Sequence, residues 1–317
     1  MPAPYAVRPA TLADAPEIHG LLALIDEFEV GRSETDLSTV ESDLKHPEAD
    51  LPHNSWLLHA PDGTLAAYGN LWDDSGAEDI NVDHYVRPGH EGAGHQLLGL
   101  LEARAIDKAR GNGAERAVAH LYYNAHKATF DVAAHLPPRG WRTVRRYNVL
   151  TRDVTSAERP APPPGLTLRD CTAEADRRRA HALWSTTFAE HHGHHPRTYE
   201  QWLADLDPEL IDWKLVTIAT LDLGHGPEDV GVLVARDDRS AMGWVSSLGT
   251  VREARGRGVG GFLLRHAFAE FAARGRTVMG LGVDTSNETN PLRLYEAHGM
   301  RTHFAVDTWE AVFPVHG

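Results

Sequence analysis

The glycine-rich stretch of residues 255–261 reads Arg255-Gly256-Arg257-Gly258-Val259-Gly260-Gly261. It follows Met242–Val251, which has the composition of a strand, and leads into Val259–Arg274, whose single apolar stripe predicts an amphipathic helix. Glycines at such a junction let successive N–H groups converge at the helix N-terminus, where the helix dipole favours an anion. Arg255 and Arg257 add positive charge beside it. The stretch therefore predicts a cradle for a phosphate or pyrophosphate.

Two familiar phosphate loops do not fit this stretch. A P-loop ends in Gly-Lys-Ser/Thr, and neither a lysine nor a hydroxyl residue stands at the end of this one. A dinucleotide fingerprint needs Gly-x-Gly-x-x-Gly at the start of a Rossmann domain. Here Gly256, Gly258 and Gly260 are spaced one residue too closely and come late in the chain.

Two later segments complete a family pattern. A predicted strand, Thr277–Val283, is followed by Asp284-Thr285-Ser286-Asn287, and a short helix after Pro291, with Asn290 as its N-cap, contains Leu294-Tyr295 and ends before Gly299-Met300. With Arg255, Gly258 and Gly260, these segments resemble the GNAT (GCN5-related) N-acetyltransferase family. In that family, Arg/Gln-x-x-Gly-x-Gly/Ala joins the fourth strand to the third helix, and an Asn follows the fifth strand. Met300 replaces the usual Phe, and the resemblance covers most of residues 165–317.

The resemblance implies acetyl-CoA as cosubstrate and assigns roles by position. The amides of Gly256, Arg257, Gly258, Val259, Gly260 and Gly261, beside Arg255, would hold the pyrophosphate. The backbone of Leu248, Gly249, Thr250 and Val251 and the side chain of Asn287 would hold the pantetheine arm. Tyr295 would be the general acid that protonates the departing thiolate. A phenol with a pKa near ~10 can supply that proton without being ionised beforehand.

The acceptor amine needs a base, because an alkyl ammonium with a pKa near ~10.4 must lose a proton before it attacks a thioester. The candidates are Glu190, His191 and His192, after the first predicted helix of this half, and Ser246 and Ser247 on the strand. The predicted catalytic residues are therefore Tyr295, Glu190 and Ser247. The sequence alone does not choose between them.

The N-terminal half repeats the same order of features at an offset of roughly 160 residues, which is typical of a duplicated domain. The Pro-rich run TSAERPAPPP at residues 155–164 predicts a linker. We therefore expect an α/β fold (α+β, mixed sheet) of two tandem GNAT domains. Residues 1–154 would form a degenerate GNAT-like domain, and residues 165–317 the catalytic domain that binds acetyl-CoA.

The N-terminal domain is predicted to be degenerate because its turn, residues 89–94, lacks the leading Arg or Gln. Glu91 places a negative charge where the pyrophosphate would lie. Asn124 matches Asn287 in position, but Leu136 stands where Tyr295 would be, and two prolines follow it. This half is expected to serve packing or substrate shaping, with weak CoA binding left open.

Histidines and tryptophans near the site have ordinary explanations. The segment Glu190–Pro196 contains four histidines around a glycine but not the spacing of a zinc site, so no metal is predicted. It is interpreted as a solvated loop, with contact to the acceptor as the alternative. The tryptophans of this half are predicted to belong to the core. They are Trp184, Trp202, Trp213 and Trp244.

Composition limits the class of protein. A length of 317 residues favours two domains, and a net charge of −14 argues against nucleic acid while suiting a cationic amine. No apolar stretch has membrane-spanning length, no signal peptide is recognised, and Cys171 is the only cysteine. The prediction is a cytoplasmic enzyme, monomer or homodimer, acting on a small-molecule amine. A non-catalytic CoA-binding module and a protein acetyltransferase are the alternatives.

Overall fold

The computed structural model describes residues 5–73, 75–189, 191, 194–287 and 291–315. Two compact units are present, and the chain passes from one to the other between Tyr147 and Asn148, within strand β6 (Arg142–Asp153). The N-terminal unit comprises residues up to Tyr147 together with those from Phe304 onward, and the C-terminal unit is Asn148–His303. No helix within the described residues is long and apolar enough to cross a membrane.

The N-terminal unit has strand order β1-β2-β3-β4-β5-β12, antiparallel except for the parallel pair β4 and β5. Its elements are β1 (Ala6–Arg8), α1 (Ala15–Val30), α2 (Leu37–Lys45), α3 (Leu51–Asn54), β2 (Ser55–His59), β3 (Leu65–Trp72), β4 (Asp79–Val86), α4 (Glu91–Gly111), β5 (Arg116–Asn124), α5 (Val132–His135) and β12 (Arg301–Pro314), with β6 (Arg142–Asp153) leading out of it. Helix α4 packs on one face of the sheet, and α1 and α2 cover the other.

The C-terminal unit has strand order β6-β11-β10-β9-β8-β7, with β10 and β11 parallel. Its elements are β7 (Thr167–Asp170), α6 (Glu174–Phe188), α7 (Tyr199–Leu206), β8 (Val216–Asp222), β9 (Pro227–Arg236), β10 (Gly243–Thr250), α8 (Val259–Ala273), β11 (Val278–Asp284) and α9 (Leu292–Ala297). Helix α8 packs on one face of this sheet, and α6 and α7 on the other. Both units thus show the mixed-sheet α/β arrangement that the sequence predicts.

Helix α8 forms where its apolar stripe predicts it. Leu264 and Phe271 are fully buried, and Phe268 is 7% exposed. Burial of each such side chain contributes about 1.5–3 kcal/mol. Gly258 is the N-cap in the left-handed region at φ 82°, and Gly275 follows the helix at φ 79°. Glycine adopts both conformations without steric cost, so the two ends of α8 are fixed by the sequence itself.

The division into units differs from the predicted one at the C-terminal end of the chain. Residues from Phe304 onward lie in the N-terminal unit, because β12 pairs with β5 from Val306 opposite Asn124 to Pro314 opposite Arg116. The predicted linker, residues 155–164, contains no helix or strand, and Arg159 pairs with Glu270 of α8 at 2.7 Å. Those residues therefore belong to the C-terminal unit.

Candidate active site

The two central strands of the C-terminal unit separate toward their carboxyl ends. They pair in parallel from Gly243 opposite Met279 to Val245 opposite Leu281. Beyond that point β10 continues to Thr250 and β11 to Asp284, but the ladder within these described segments ends. A register shift between Val245 and Ser247 bends β10 away at the same place. The result is a V-shaped gap between β10 and β11, called the wedge below, with backbone groups along its edge.

The inner edge of the wedge is formed by alternate residues of β10. Val251 donates its N–H to the carbonyl of Val230 at 2.9 Å, so it faces β9, and Gly249 opposite Val232 does the same by alternation. Leu248 and Thr250 therefore turn their N–H and C=O groups into the wedge. Backbone groups exposed along a strand edge can pair with an extended ligand as another strand would. Of the four residues predicted to hold the arm, Leu248 to Val251, these two offer such groups.

The glycine-rich stretch closes the mouth of the wedge at the start of α8. The first turn of a helix leaves its N–H groups without acceptors inside the helix, and here that turn contains Val259, Gly260 and Gly261. Beside it, the Oγ1 of Thr250 is buried and has no hydrogen-bond partner in the described part of the chain. Arg255 reaches the Thr250 carbonyl with its Nε at 3.4 Å. Unsatisfied donors at a helix start beside a cation fit a pyrophosphate.

A histidine that the sequence analysis missed fixes the position of the short helix α9. The ring of His298 covers Gly261, where an added Cβ would lie 3.1 Å from its Cε1. His298 Nδ1 is 2.8 Å from the Leu294 carbonyl, and Arg265 Nη1 is 3.1 Å from its Nε2. These contacts hold α9 against the start of α8. The signal in the sequence was Gly261, since a helix otherwise disfavours glycine.

Tyr295 lies in α9 and contributes to the core of the unit. Its side chain is 8% exposed, and its hydroxyl makes no hydrogen bond to any residue in the described ranges. Burial raises the pKa of Tyr295 to about 12, so the phenol is protonated at neutral pH. Helix α9 begins at Leu292, with Pro291 as its N-cap instead of its first residue. Asn290, which was predicted to cap it, lies outside the described residues.

Asn287 stands in the turn after β11, at the end where the two strands separate. It is half-buried, and its N–H is 3.4 Å from the carbonyl of Asp284. The side chain of Asp284 accepts the N–H of Ser286 at 2.8 Å, which shapes the same turn. The predicted pantetheine contact therefore lies at the edge of the wedge opposite β10.

The other face of β10 meets α6. Ser247 accepts a hydrogen bond from Trp184 Nε1 at 3.2 Å, and the Trp184 ring stacks with Phe188 at 6.0 Å between centroids. The interpretation of Trp184 as an ordinary core residue is therefore incomplete, because its polar end reaches a candidate catalytic residue. Gly249 allows this close approach, since a Cβ there would lie 2.2 Å from the Oγ1 of Thr187.

The residues predicted as a base for the acceptor amine do not all lie at the site. Glu190 and His192 lie outside the described residues, His191 packs on Phe188 at 4.5 Å, and Ser246 is exposed. His194, which was assigned to a solvated loop, lies 5.2 Å from the Trp184 ring. Burial, and next the neighbouring His195, lower the pKa of His194, so it is neutral at pH 7. Among the described residues, no group of His, Cys, Asp and Glu has the arrangement of a metal site.

The corresponding wedge of the N-terminal unit is filled by side chains. Strands β4 and β5 pair in parallel only from Asp79 opposite Val118 to Asn81 opposite His120. Beyond that point, a hydrogen bond between His84 and Tyr123 joins the two strands. Phe130 is 1% exposed and packs so tightly on Gly94 of α4 that a Cβ there would lie 2.6 Å from its ring. The space that is open in the C-terminal unit is occupied here.

The start of α4 also differs chemically from that of α8. Glu91 is its first residue, and its carboxylate is 3.4 Å from the ring of His135. Leu136, at the position of Tyr295, is fully buried and carries no proton to donate. A carboxylate at a helix N-terminus occupies the place of an anionic ligand.

A half-buried carboxyl near this filled wedge gives a pH-dependent prediction. Glu29 of α1 accepts the N–H of Thr129 at 3.2 Å, and burial raises its pKa to about 7. Because the folded-state pKa exceeds the ordinary value, the native state favours the neutral form. That contribution to stability is present below about pH 4 and is lost as the pH rises through 7. We expect Glu29→Gln to gain about 1–2 kcal/mol relative to wild type between pH 5 and pH 8, measured by urea unfolding.

Glu27→Gln is the matched control, because Glu27 is exposed on the same helix. It should shift stability equally at both pH values. A Glu29→Gln variant whose difference from wild type is the same at pH 5 and pH 8 would contradict the assignment.

Comparisons with known proteins agree with this geometry. Residues 177–300 match the family model of the acetyltransferase (GNAT) family. A mycothiol acetyltransferase of Streptomyces bingchenggensis (strain BCW-1) is 26% identical over 235 residues, covering 73% of this chain and 72% of the relative.

Solved structures extend the likeness over the whole chain. A GCN5-related N-acetyltransferase from Sphaerobacter thermophilus has a TM-score of 0.80 and 26% identity, with 99% of this chain and 97% of that chain covered. A tandem GNAT protein from the clavulanic acid biosynthesis pathway has a TM-score of 0.69 and 17% identity, with 97% and 98% covered. Residues 177–300 thus match the GNAT family, and the chain as a whole has the fold of tandem-GNAT proteins. Family members use acetyl-CoA, and acetyl transfer is the general chemistry that the family supports.

Proposed function

We propose that the C-terminal unit transfers an acetyl group from acetyl-CoA directly to the amine of a small molecule. The observation that carries this proposal is the wedge between β10 and β11, which opens beside a helix start made of glycines. An extended thioester arm fits between separated strands, and a pyrophosphate fits the helix N-terminus. The neutral phenol of Tyr295 supplies the acid that thioester cleavage requires.

The binding roles follow from the arrangement of backbone groups. The amides of Gly256 to Gly261 would hold the pyrophosphate, with Arg255 and Arg257 adding positive charge. Leu248 and Thr250 would pair with the pantetheine arm. Asn287 would contact the same arm from the end of β11. Gly249 and Val251 would support β10 through β9 instead of touching the arm.

The chemical step needs one acid and one base. The amine nitrogen bonds to the thioester carbon, and the carbon–sulfur bond then breaks. Tyr295 gives its proton to the leaving thiolate and recovers one from solvent. The proton of the amine passes to a base. Ser247 and the neutral ring of His194, both beside α6, are candidates, and Glu190, outside the described residues, is the third. Burial keeps Tyr295 protonated over the whole physiological range.

The acceptor would lie on the α6 face of β10, beside the wall formed by Trp184 and Phe188. The net charge of −14 favours a cationic acceptor by raising its local concentration. The acceptor class extends from aminosugars and amino acids to polyamines. A mycothiol-type acceptor is the named alternative, because the relative from Streptomyces carries that name and aligns over 73% of this chain. We also infer cytoplasmic residence, because Cys171 is a buried free thiol.

A non-catalytic CoA-binding module is the second candidate. It would explain the wedge and the helix start but not a buried, protonated tyrosine beside them. The open wedge and the tyrosine are both present in the C-terminal unit. In the N-terminal unit, Phe130 fills the wedge and Leu136 stands at the position of the tyrosine.

The deciding experiment combines native mass spectrometry with turnover. One acetyl-CoA per chain, together with thiol release that depends on an added amine from an aminosugar, amino acid and polyamine panel, would support the proposal. Two acetyl-CoA molecules per chain would show that the N-terminal wedge also binds. A protein that binds no acetyl-CoA would contradict the proposal. Binding of one ligand without turnover on any amine would favour the non-catalytic module. The same spectra give the oligomeric state, predicted as monomer or homodimer.

A further inference from the structure

A bulge in β10 sets the direction of the Ser247 side chain. Val245 lies opposite Ala235 of β9, whereas Ser247 lies opposite Val234, so Ser246 is an extra residue of β10. Side chains alternate along a strand, and one extra residue reverses the alternation. Val245 therefore packs in the core with α8, while Ser247 turns to the opposite face, toward α6. Ser247 thus stands where the described pairing of β10 with β11 has ended and the wedge opens.

One hydrogen bond determines what the Ser247 hydroxyl can do. Trp184 of α6 donates its Nε1–H to Ser247 Oγ at 3.2 Å. An indole nitrogen is a donor only, so the serine oxygen is the acceptor in this bond. The serine keeps its own proton, for which no acceptor is present among the described residues. Because hydrogen bonds in a chain polarise one another, a hydroxyl that accepts one bond is a stronger donor and a weaker base.

The Trp184 ring is itself held in position by other rings. It stacks with Phe188 at 6.0 Å and with His181 at 6.3 Å between centroids, at interplanar angles of 23° and 20°. The ring of His194 lies 5.2 Å from it. Trp184 and Ser247 are both half-buried and not enclosed in the core. The donor is thus oriented by a fixed partner on the face of β10 where the acceptor would lie.

We propose that Ser247, positioned by Trp184, donates a hydrogen bond to a hydroxyl oxygen of the acceptor, so that the site selects amines that also carry a hydroxyl group. The inference rests on the proposed acetyl transfer and narrows its acceptor class. Aminosugars and other amino alcohols fit this donor, whereas a polyamine offers it no oxygen. The role also assigns Ser247 to binding instead of proton removal, which leaves His194 and Glu190 as the candidates for the base.

The test compares two amines of similar size, the trans isomers of 2-aminocyclohexanol and 2-methylcyclohexylamine, in which a methyl group replaces the hydroxyl. A site that hydrogen-bonds a substrate hydroxyl rejects the analogue without it far more strongly than an apolar pocket discriminates by size. With saturating acetyl-CoA, we expect the wild-type kcat/KM, measured by thiol release, to favour the amino alcohol by about tenfold or more.

Ser247→Ala should reduce this preference to less than about twofold, because the donor is gone. Trp184→Phe, which keeps a ring but removes the N–H, should reduce it about threefold or more. Each variant is compared with wild type on the same two amines, so the difference in amine pKa cancels. Trp213→Phe is the matched control, because Trp213 is also half-buried in this unit but packs on Arg177. Its preference should equal that of wild type even if both rates fall.

A loss of packing lowers both rates together, whereas the preference changes only if the hydroxyl is recognised. Equal kcat/KM for the two amines in wild type, or an unchanged preference in Ser247→Ala, would overturn the proposal. Failure to acetylate either amine would count against the acetyl transfer and not against the selection. In that case the same preference, measured by calorimetry of amine binding to protein saturated with CoA, decides: about tenfold supports the proposal, and equal binding overturns it.

Discussion

Gly260→Asp is expected to reduce the affinity for acetyl-CoA at least 100-fold while leaving the fold intact. Gly260 is the second residue of α8, where the pyrophosphate would lie, and an added carboxylate there repels a phosphate by several kcal/mol. A Cβ at this position would meet Leu294, Thr250 and Leu248 at 3.5–3.7 Å, which is ordinary contact. The positive end of the helix dipole also stabilises a carboxylate in the first turn. Native mass spectrometry and calorimetry would measure binding, and thermal unfolding would measure the fold.

The repeat within the chain offers a matched control. Gly92 is the second residue of α4, and a Cβ there would lie 3.4 Å from the Tyr5 ring. Gly92→Asp should leave acetyl-CoA affinity unchanged, because the N-terminal wedge is filled by Phe130. Normal binding by Gly260→Asp would refute the cradle, and weakened binding by Gly92→Asp would place acetyl-CoA in the N-terminal unit.

Local chemistry explains why the start of α8 could be predicted. Glycine at 258 allows a left-handed N-cap, and glycines at 260 and 261 leave room for neighbours at the first turn. These requirements involve residues close together in sequence, so a single chain reveals them. The apolar stripe of Leu264, Phe268 and Phe271 has the same local character.

Pairing between distant segments could not be predicted in this way. The order of residues gives no sign that β12 joins β5, because both strands have ordinary alternating patterns and lie far apart in sequence. A Pro-rich run suggested a domain boundary at residues 155–164, whereas the boundary falls between Tyr147 and Asn148, within β6. Strand partners are chosen by tertiary packing, which composition does not record.

The contacts on the acceptor side of the site could not be predicted from the sequence either. Trp184 was interpreted as core by size alone, yet its indole N–H reaches Ser247. The close approach of α6 to β10 depends on Gly249, a residue whose role in that contact is visible only in three dimensions. In the N-terminal unit, Glu91 and Leu136 signalled a lost site, but Phe130, which fills the wedge, did not stand out.

Tyr295→Phe is expected to lower kcat about 100-fold or more while changing the affinity for acetyl-CoA less than twofold. The phenol is buried and protonated, so its loss removes the proton donor to the thiolate without removing a binding group. Steady-state turnover measured by thiol release, with calorimetry of acetyl-CoA binding, separates the two effects. Tyr199→Phe is the matched control, because Tyr199 is also 8% exposed and its hydroxyl is buried without a partner in the described residues. Full activity in Tyr295→Phe, or an equal loss in Tyr199→Phe, would show that Tyr295 acts only through packing.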